Sequence, residues 1–374
     1  MQKLQFSALV AAAIIAFPIN TVASEADLQK QINELKERLD ATSEVIEAAD
    51  TKSKNTIGGY GEMHYNNLSG KGGASDKTEL DFHRFVLFFS HEFSDDVRFF
   101  SELELEHSIA GEGKTGEIEL EQAYLEFDIN HSLTAKGGLF LIPVGIINET
   151  HEPSTFYGVE RNPIEKNIVP ATWWEGGAAI SGEVAKGLHY DVAITSGLNL
   201  GTTGTAKVRD GRQKVGNAKA DSLMTTGRIK WTGVPGLEVA ATLTYQDDYT
   251  HGLGTKNSAQ LIETHAVWQT GPFNLRALYA QWDVEGQTSG YNEQSGFYIE
   301  PSYKLSEKVG VFARYNQYDN QAGDASQNGE KQQIDVGMSY WPHPDVAIKV
   351  DYQSQDNDNN EDQNGFNVGI GYQF

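Results

Sequence analysis

The sequence predicts an all-β protein, a sixteen-stranded antiparallel transmembrane β-barrel with an N-terminal periplasmic helix or coiled coil. Three observations predict this fold. Apolar and polar residues alternate with a period of two from residue 57 to the last residue, as strands with one apolar face require. Polar breaks divide this region into an even number of segments, and short connections alternate with long ones, which is typical of bacterial outer-membrane barrels. The last segment alternates in the same way and ends on an aromatic residue.

Residues 1–23 predict a secretory signal peptide. Lys3 precedes an apolar stretch from residue 6 to residue 19, and the small residues Ala23 and Ser24 follow it. The stretch is too short to cross a bilayer as a helix. The alternative is a buried N-terminal strand or helix, but the charge, the apolar core and the small residues come in the order of a cleaved leader. We therefore expect the mature chain to leave the cytoplasm.

Residues 24–55 are expected to form a periplasmic coiled-coil segment and a linker. Apolar side chains recur there at spacings of four and three, which places them on one narrow seam of a helix. They are Leu28, Ile32, Leu35, Leu39 and Ile46. A lone helix of this length is marginal in water, so the seam needs a partner. We expect a short parallel coiled coil that joins identical chains, and an amphipathic helix lying on its own barrel is the alternative.

Residues 56–374 are expected to form the barrel. Clusters of Gly, Asn, Asp, Ser and Pro divide this region into sixteen candidate strands. The strands begin near Ile57, Leu80, Val97, Glu117, Leu133, Gly176, Leu188, Asp221, Leu237, Ala259, Phe273, Tyr291, Val309, Gln332, Asp345 and Gly365. Because successive side chains point to opposite faces, we expect Leu103, Val192, Ile348 and Val368 to face lipid, and Glu104, Asp191, Lys349 and Gly369 to face the lumen. Aromatic residues near the turns predict an interfacial girdle; they include Phe82, Phe85, Phe88, Phe89, Phe93, Phe99, Phe100, Trp231, Trp268, Tyr303 and Trp341.

One connection, at about residues 148–175, breaks the alternation and predicts a constriction loop. It carries three prolines and several aromatic residues, namely Pro153, Pro163, Pro170, Phe156, Tyr157, Trp173 and Trp174. A loop of this length is usually functional or disordered, and its aromatic side chains need a surface to pack on. In a barrel that surface is the lumen wall, so we expect Arg161 and Lys166 at the constriction, together with the acidic residues Glu149, Glu152, Glu160 and Glu165. The alternative is an external loop that binds a ligand or a partner.

Composition and motifs exclude several other classes of protein. The 29 basic and 52 acidic residues give a net charge of −23, whereas nucleic-acid binders need a basic face. The absence of cysteine excludes disulfide scaffolds, thiolate nucleophiles and Cys-ligated zinc. The sequence GEGKTG at residues 111–116 matches a phosphate-binding motif, but no helix pattern follows it. The ten histidines are scattered along the chain. We therefore expect no enzyme activity, no cofactor, no metal and no nucleic-acid partner.

Part of the sequence resembles a known family. The segment GLFLIPVG at residues 138–145 is similar to the G-x-F-x-x-P-x-G segment of the phosphate-selective porin O and P family, and INETHEPSTFYGVERN and PATWWEGG resemble the long third loop of that family. With the coiled-coil segment, the sixteen strands and the terminal Phe374, the resemblance covers essentially the whole mature chain. It implies a trimeric outer-membrane channel with the third loop in the lumen. It also implies that the barrel-assembly machinery recognises the strand that ends in Phe374.

The charged residues that are expected to line the lumen predict which ions the channel prefers. Members of the family that concentrate phosphate use a ladder of inward arginines and a ring of lysines, whereas this chain has nine arginines in all. The expected pore-lining and constriction residues are Glu102, Glu104, Glu106, Arg84, Arg98, Arg161, Lys166, Arg228 and Arg314. Residues 101–128 hold nine acids and the single base Lys114, so this wall should attract cations. We therefore expect a weak preference for cations.

The sequence thus predicts an outer-membrane porin. Its water-filled channel would pass small hydrophilic solutes and ions by passive diffusion, and its expected partners are two further copies of the chain in a homotrimer and the lipid of a bacterial outer membrane. A phosphate- or anion-selective channel is the alternative within transport. A surface adhesion or ligand-binding barrel is the alternative from another class.

Overall fold

The computed structural model describes residues 54–374, which form a closed antiparallel barrel. The sixteen strands of this region are Asn55–Lys71 (β1), Lys77–Glu92 (β2), Val97–Glu106 (β3), Ile118–Asn130 (β4), Leu133–Leu141 (β5), Trp174–Ala185 (β6), Leu188–Thr195 (β7), Met224–Val234 (β8), Leu237–Gln246 (β9), Ala259–Thr270 (β10), Phe273–Val284 (β11), Glu293–Lys304 (β12), Val309–Asp319 (β13), Lys331–His343 (β14), Val346–Asn357 (β15) and Asp362–Gln373 (β16). Each strand pairs with its neighbours in sequence, and β16 pairs with β1 to close the barrel. The predicted barrel is confirmed, and every expected strand start lies within three residues of an observed one.

The signal peptide and the coiled-coil seam lie outside the described residues. The boundaries proposed at residues 23 and 55 therefore stay predictions. Within residues 54–374, no helix is long and apolar enough to cross a membrane.

The connections are sorted by length between the two rims. On one rim, two-residue turns such as 131–132, 186–187 and 271–272 join the strands. On the other rim, the connections include residues 142–173, here called L3, and residues 196–223, here called L4. L3 contains the short helix α1, Ile164–Asn167, and L4 contains a 3₁₀ turn at Val208–Gly211. A second 3₁₀ turn spans Ala325–Gln327 between β13 and β14.

Side chains alternate between lipid and lumen as the pattern predicts. Leu103, Val192 and Ile348 are 39–45% exposed on the outer surface, although all three are apolar. Glu104 and Lys349 point inward and are 1% and 3% exposed. Polar groups inside and apolar groups outside are the reverse of a water-soluble protein and match a barrel in lipid.

The expected aromatic girdle is only partly external. Phe89, Trp231 and Trp268 are exposed on the outer surface. Phe88 and Phe100 instead face the lumen, where they line a cavity beside Glu102 and His151 and contact each other with ring centroids 5.7 Å apart. A run of consecutive aromatic residues in a strand places half its members on each face, so clustering in sequence does not place them all in one girdle.

A buried apolar cluster fills one side of the lumen. It joins side chains of L3 and L4 to the inner faces of strands β8 and β10–β12, and consists of Ile142, Val144, Ile164, Ile168, Val169, Trp173, Leu198, Leu200, Val208, Met224, Tyr249, Ala259, Leu261, Leu278, Ala280, Trp282, Val284 and Tyr298. Apolar side chains inside a barrel need other apolar groups to exclude water. The polar part of the lumen lies on the other side, next to β13–β16 and β1–β4.

Candidate functional site

L3 folds into the barrel, and one asparagine joins the two ends of the loop. The amide nitrogen of Asn148 donates to the carbonyl oxygens of Ile142 and Trp173 at 2.8 and 3.0 Å, and its Oδ1 accepts from the Trp173 N–H at 2.7 Å. One side chain thus ties the two ends of the loop together. The expectation of an inward loop agrees with this geometry.

The inner end of L3 is organised around a buried carboxylate. Glu165 is 0% exposed, and its Oε1 accepts from the backbone N–H groups of Ile146 and Ile147 at 2.6 and 2.7 Å. Its Oε2 accepts from the Asn162 amide at 2.9 Å and from the Tyr298 hydroxyl of β12 at 3.0 Å. Burial raises the pKa of Glu165, and these donors act in the opposite direction. The carboxylate links both arms of the loop to the wall.

The middle of L3 is bound to the wall through its backbone. Lys349 Nζ donates to the Gly158 carbonyl at 2.9 Å, and Asp351 Oδ2 accepts from the Val159 N–H at 2.6 Å. Ser339 and Arg276 donate to the carbonyls of Tyr157 and Thr155 in the same way, both at 2.8 Å. Inward polar side chains of three strands, β11, β14 and β15, thus satisfy backbone groups of a loop that has no regular partner strand.

An ion pair anchors L3 to the opposite, acidic wall. His151 is 3% exposed, and its Nε2 lies 3.3 Å from Glu102 and 3.5 Å from Glu121. Burial alone lowers the pKa of His151, but the neighbouring carboxylates outweigh it and raise the pKa to about 10. The imidazole is therefore charged at neutral pH, and it pairs with Glu102, which is buried rather than exposed to the lumen.

L4 also folds inward, which the sequence analysis missed. The Arg209 guanidinium donates to the carbonyls of Lys166 and Ala171, both at 2.7 Å, and Arg212 donates to the carbonyls of Pro170 and Thr172. These bonds hold L4 against L3. The signal that could have found it is the set of aliphatic residues within this long polar connection, Leu198, Leu200 and Val208, all of which are buried.

A polar cavity of about 660 Å³ lies between the two loops and strands β1–β4. Of the nine expected pore-lining residues, four line this cavity: Arg84, Glu106, Arg161 and Lys166. Acidic groups on its wall side also include Glu117 and Glu119, and basic groups on its loop side include Arg209, Arg212 and Lys214. We call this cavity with its lining the constriction.

The other five expected residues lie elsewhere in the lumen. Glu102 and Glu104 point inward but are each 1% exposed, so the structure differs from the expectation that they line water. The reason is L3, which covers this part of the wall. The three arginines are paired with acids of the wall or of L3: Arg98 with Glu126 and Asp128, Arg228 with Asp191 and Glu149, and Arg314 with Glu300 and Asp335.

The two sides of the constriction differ in the partners of their charged groups, and on the wall side carboxylates pair with cations. Lys214 pairs with Glu117 at 3.0 Å and also contacts Glu119. Arg84 pairs with Glu62 at 2.8 Å and with Glu104 at 3.5 Å. The wall carboxylates thus largely have cationic partners.

The loop cations have neutral partners instead. Arg161 donates to the Thr172 hydroxyl at 2.7 Å and to the His151 carbonyl at 3.3 Å, and its buried Nε has no hydrogen-bond partner among residues 54–374. Arg209 and Arg212 donate to carbonyl oxygens, and Lys166 is exposed to the cavity. Within the described part of the chain, none of these four cations forms an ion pair.

The chain is similar in sequence to a known family and to one known protein. A family model described as phosphate-selective porin O and P matches residues 57–374. An uncharacterised protein of Aquifex aeolicus (strain VF5) is 31% identical over 351 residues, which cover 85% of this chain and 80% of that protein.

Solved structures share the fold. The anion-selective porin from Comamonas acidovorans superposes with a TM-score of 0.62 at 14% identity, over 86% of this chain and 99% of that one. The trimer form of OmpT from Vibrio cholerae superposes with a TM-score of 0.56 at 12% identity, over 86% of this chain and 99% of that one. At these identities the likeness concerns the barrel architecture.

Proposed function

Because the chain belongs to the phosphate-selective porin O and P family, and is thus an outer-membrane channel for small solutes, we propose that its constriction gives the channel a preference for anions. The bacterial outer membrane is its location. Solutes pass by diffusion, and the proposed function involves no chemical step.

The observation that carries this proposal is the set of four loop cations without a carboxylate partner: Arg161, Lys166, Arg209 and Arg212. Charges within about one Debye length, ~8 Å at physiological salt, act on a passing ion with little screening. Unpaired cations at the narrow part of a pore attract anions and repel cations. The paired wall carboxylates contribute less, because each charge there has an opposite neighbour.

This proposal departs from the cation preference expected from the sequence. That expectation counted the acids of residues 101–128 as a wall open to water. Glu102 and Glu104 are instead buried beneath L3, and L4 adds Arg209, Arg212 and Lys214 to the opposite side. The constriction therefore holds cations of L3 and L4 opposite the acidic wall, and four of these cations have no carboxylate partner among residues 54–374.

Reversal potentials in planar bilayers under a potassium chloride gradient test the proposal. We expect the wild-type channel to favour chloride. The Lys166→Gln and Arg161→Gln variants should shift the permeability ratio toward potassium. A unit charge 4 Å from an ion contributes about 1 kcal/mol in water, with opposite signs for chloride and potassium, so each charge removed should change each permeability about fivefold and their ratio by up to about 25-fold. Lys166 is the more informative position, since it makes no hydrogen bond through its side chain in residues 54–374.

The matched control is Lys256→Gln. Lys256 is exposed, pairs with Asp247 at 2.5 Å and lies outside the constriction, so its loss should leave the ratio unchanged. A wild-type channel that favours potassium would overturn the proposal. The acidic wall would then determine the ion selectivity. If low concentrations of added phosphate reduce the chloride current, phosphate binds in the pore, and the favoured anion is narrowed to phosphate.

We further propose that the channel is a homotrimer in outer-membrane lipid. The trimer form of OmpT among the structural neighbours supports this assembly. Light scattering of the detergent-solubilised protein should give a mass of three copies, and a monomer mass would contradict it.

The last strand supports recognition by the barrel-assembly machinery. Phe366, Val368 and Ile370 form an exposed apolar stripe on β16 that ends at Phe374, which is 61% exposed.

The inward folding of L3 and L4 favours a channel over a surface adhesion or ligand-binding barrel, because these loops are bound to the lumen wall rather than presented outside.

A further inference from the structure

Three histidines that are far apart in the sequence meet on one side of the constriction. His64 lies on β1, His83 on β2 and His107 directly after β3. The rings of His64 and His83 stack with centroids 4.7 Å apart, and the centroids of His83 and His107 are 5.8 Å apart. The Asp81 carboxylate lies between the last two, 3.1 Å from His83 Nδ1 and 2.9 Å from His107 Nδ1.

A β-bulge places His83 in this group. Glu62 pairs with Arg84 and His64 pairs with Asp81, so β2 has one more residue than β1 over this interval. Such a bulge breaks the alternation of faces. The side chains of His83 and Arg84, although adjacent in sequence, therefore both line the constriction.

The turn after β3 brings in the third histidine. The His107 backbone N–H donates to the His83 carbonyl at 3.2 Å, and the residue has a left-handed φ of 51°. This conformation is uncommon outside glycine, although histidine is among the residues that adopt it more often. The hydrogen bond and the left-handed turn together hold the His107 ring beside Asp81.

We propose that Asp81, His83 and His107 form a binding site for a divalent transition-metal ion of the zinc class inside the channel. Imidazole nitrogen and carboxylate oxygen are ligands that zinc prefers. One atom from each residue lies within 4.8 Å of the others. Zinc with bonds of about 2.0–2.1 Å in tetrahedral geometry needs ligand atoms about 3.3 Å apart, close to the separations of 2.9 and 3.1 Å from Asp81 to the two rings.

The site is open enough to exchange an ion. The three side chains are 25–34% exposed, and three protein ligands leave one position for water. His64 and Glu160, whose Nδ1 and Oε1 are 3.1 Å apart, lie beside His83 and can hold its ring in place. Arg84, the neighbour of His83 in the sequence, is already paired with Glu62 and Glu104.

A second His and carboxylate cluster does not offer the same chemistry. Glu102, Glu121 and His151 also lie within ligand distance of one another, but their side chains are only 1–3% exposed. They form the ion pair that anchors L3. A metal there would have to displace the loop contact, whereas the site at Asp81 faces the cavity.

Binding would change conduction directly. An ion at this site would add two positive charges within about one Debye length of the constriction and would take up space in it. The inference rests on the barrel geometry and does not depend on the direction of ion selectivity. It departs from the expectation that the chain binds no metal, which was based on histidines scattered in sequence.

Planar-bilayer recordings with zinc chloride test the site. We expect micromolar zinc, added on the side of the long connections, to lower the wild-type conductance, EDTA to restore it, and magnesium at the same concentration to have no effect. The His83→Ala and His107→Ala variants should raise the half-blocking concentration at least about tenfold, as loss of groups that support a metal site does. His83→Gln and His107→Gln, which keep a polar side chain, provide second variants if alanine impairs folding.

The matched control is His343→Ala. His343 lies 3.3 Å from Asp345 near the opposite rim and is exposed, so this variant should be blocked like the wild type. A far-ultraviolet circular dichroism spectrum like that of the wild type shows that the barrel of each variant has folded. Calorimetric titration of the detergent-solubilised protein with zinc should give one site per chain, which both alanine variants lose. Absence of block in the wild type, or block that persists in both variants, overturns the proposal, and block lost only in His151→Ala assigns zinc to the L3 anchor instead.

Discussion

Replacing Glu165 with alanine is expected to release L3 from the lumen wall and to raise the conductance of the channel. The buried carboxylate accepts four hydrogen bonds, from Ile146, Ile147, Asn162 and Tyr298. Each buried donor left without an acceptor costs about 1–3 kcal/mol. The variant therefore loses several kcal/mol of loop stability, while the strands of the barrel keep their hydrogen bonds to one another.

Limited digestion with trypsin and single-channel recordings measure this effect. A released L3 should be cut at Arg161 and Lys166, and the open-channel current should become larger and noisier. Glu165→Gln keeps one acceptor oxygen, so an intermediate result is expected. Glu112→Ala, at an exposed position on the connection between β3 and β4, is the control and should behave like the wild type. An alanine variant at position 165 with wild-type current and protease resistance would show that L3 is held by its other contacts.

Replacing Trp282 with alanine is expected to lower the free energy of unfolding by about 3–5 kcal/mol, the usual range for a buried tryptophan. Trp282 on β11 is 1% exposed, its Nε1 donates to the Ile168 carbonyl at 2.9 Å, and its ring lies 5.9 Å from that of Trp173. The truncation leaves a cavity where the apolar cluster joins L3 to the wall. Reversible urea unfolding in lipid vesicles measures the loss.

A tryptophan on the neighbouring strand serves as the control. Trp268 on β10 is 46% exposed on the outer surface, so Trp268→Ala leaves no internal cavity and should cost less. Trp282→Phe keeps most of the ring volume and loses the hydrogen bond, for which about 1 kcal/mol is expected. Equal losses for the alanine variants at positions 268 and 282 would contradict an internal apolar cluster that stabilises the folded state.

The site itself was only partly predictable. The break in alternation after β5 located L3, and with it Arg161 and Lys166 at the constriction. The alternation also placed Glu102 and Glu104 on the inner face, but it could not show that L3 covers them. Face is a local property of a strand, whereas exposure depends on what packs against that face from elsewhere in the chain.

The sequence by itself determined the barrel. The period of two, the turn residues and the even number of segments specify the strands, their order and the face of each side chain. These features depend on neighbours within a few residues. Only the tertiary structure decided the chemistry of the lumen. The contacts of Arg209 with L3, of His151 with Glu102, and of His83 with His107 join residues that are 20 to 50 positions apart. Such contacts arise when the sheet closes and the loops fold into it, so the charges and ligands that meet there depend on long-range packing that no local pattern encodes.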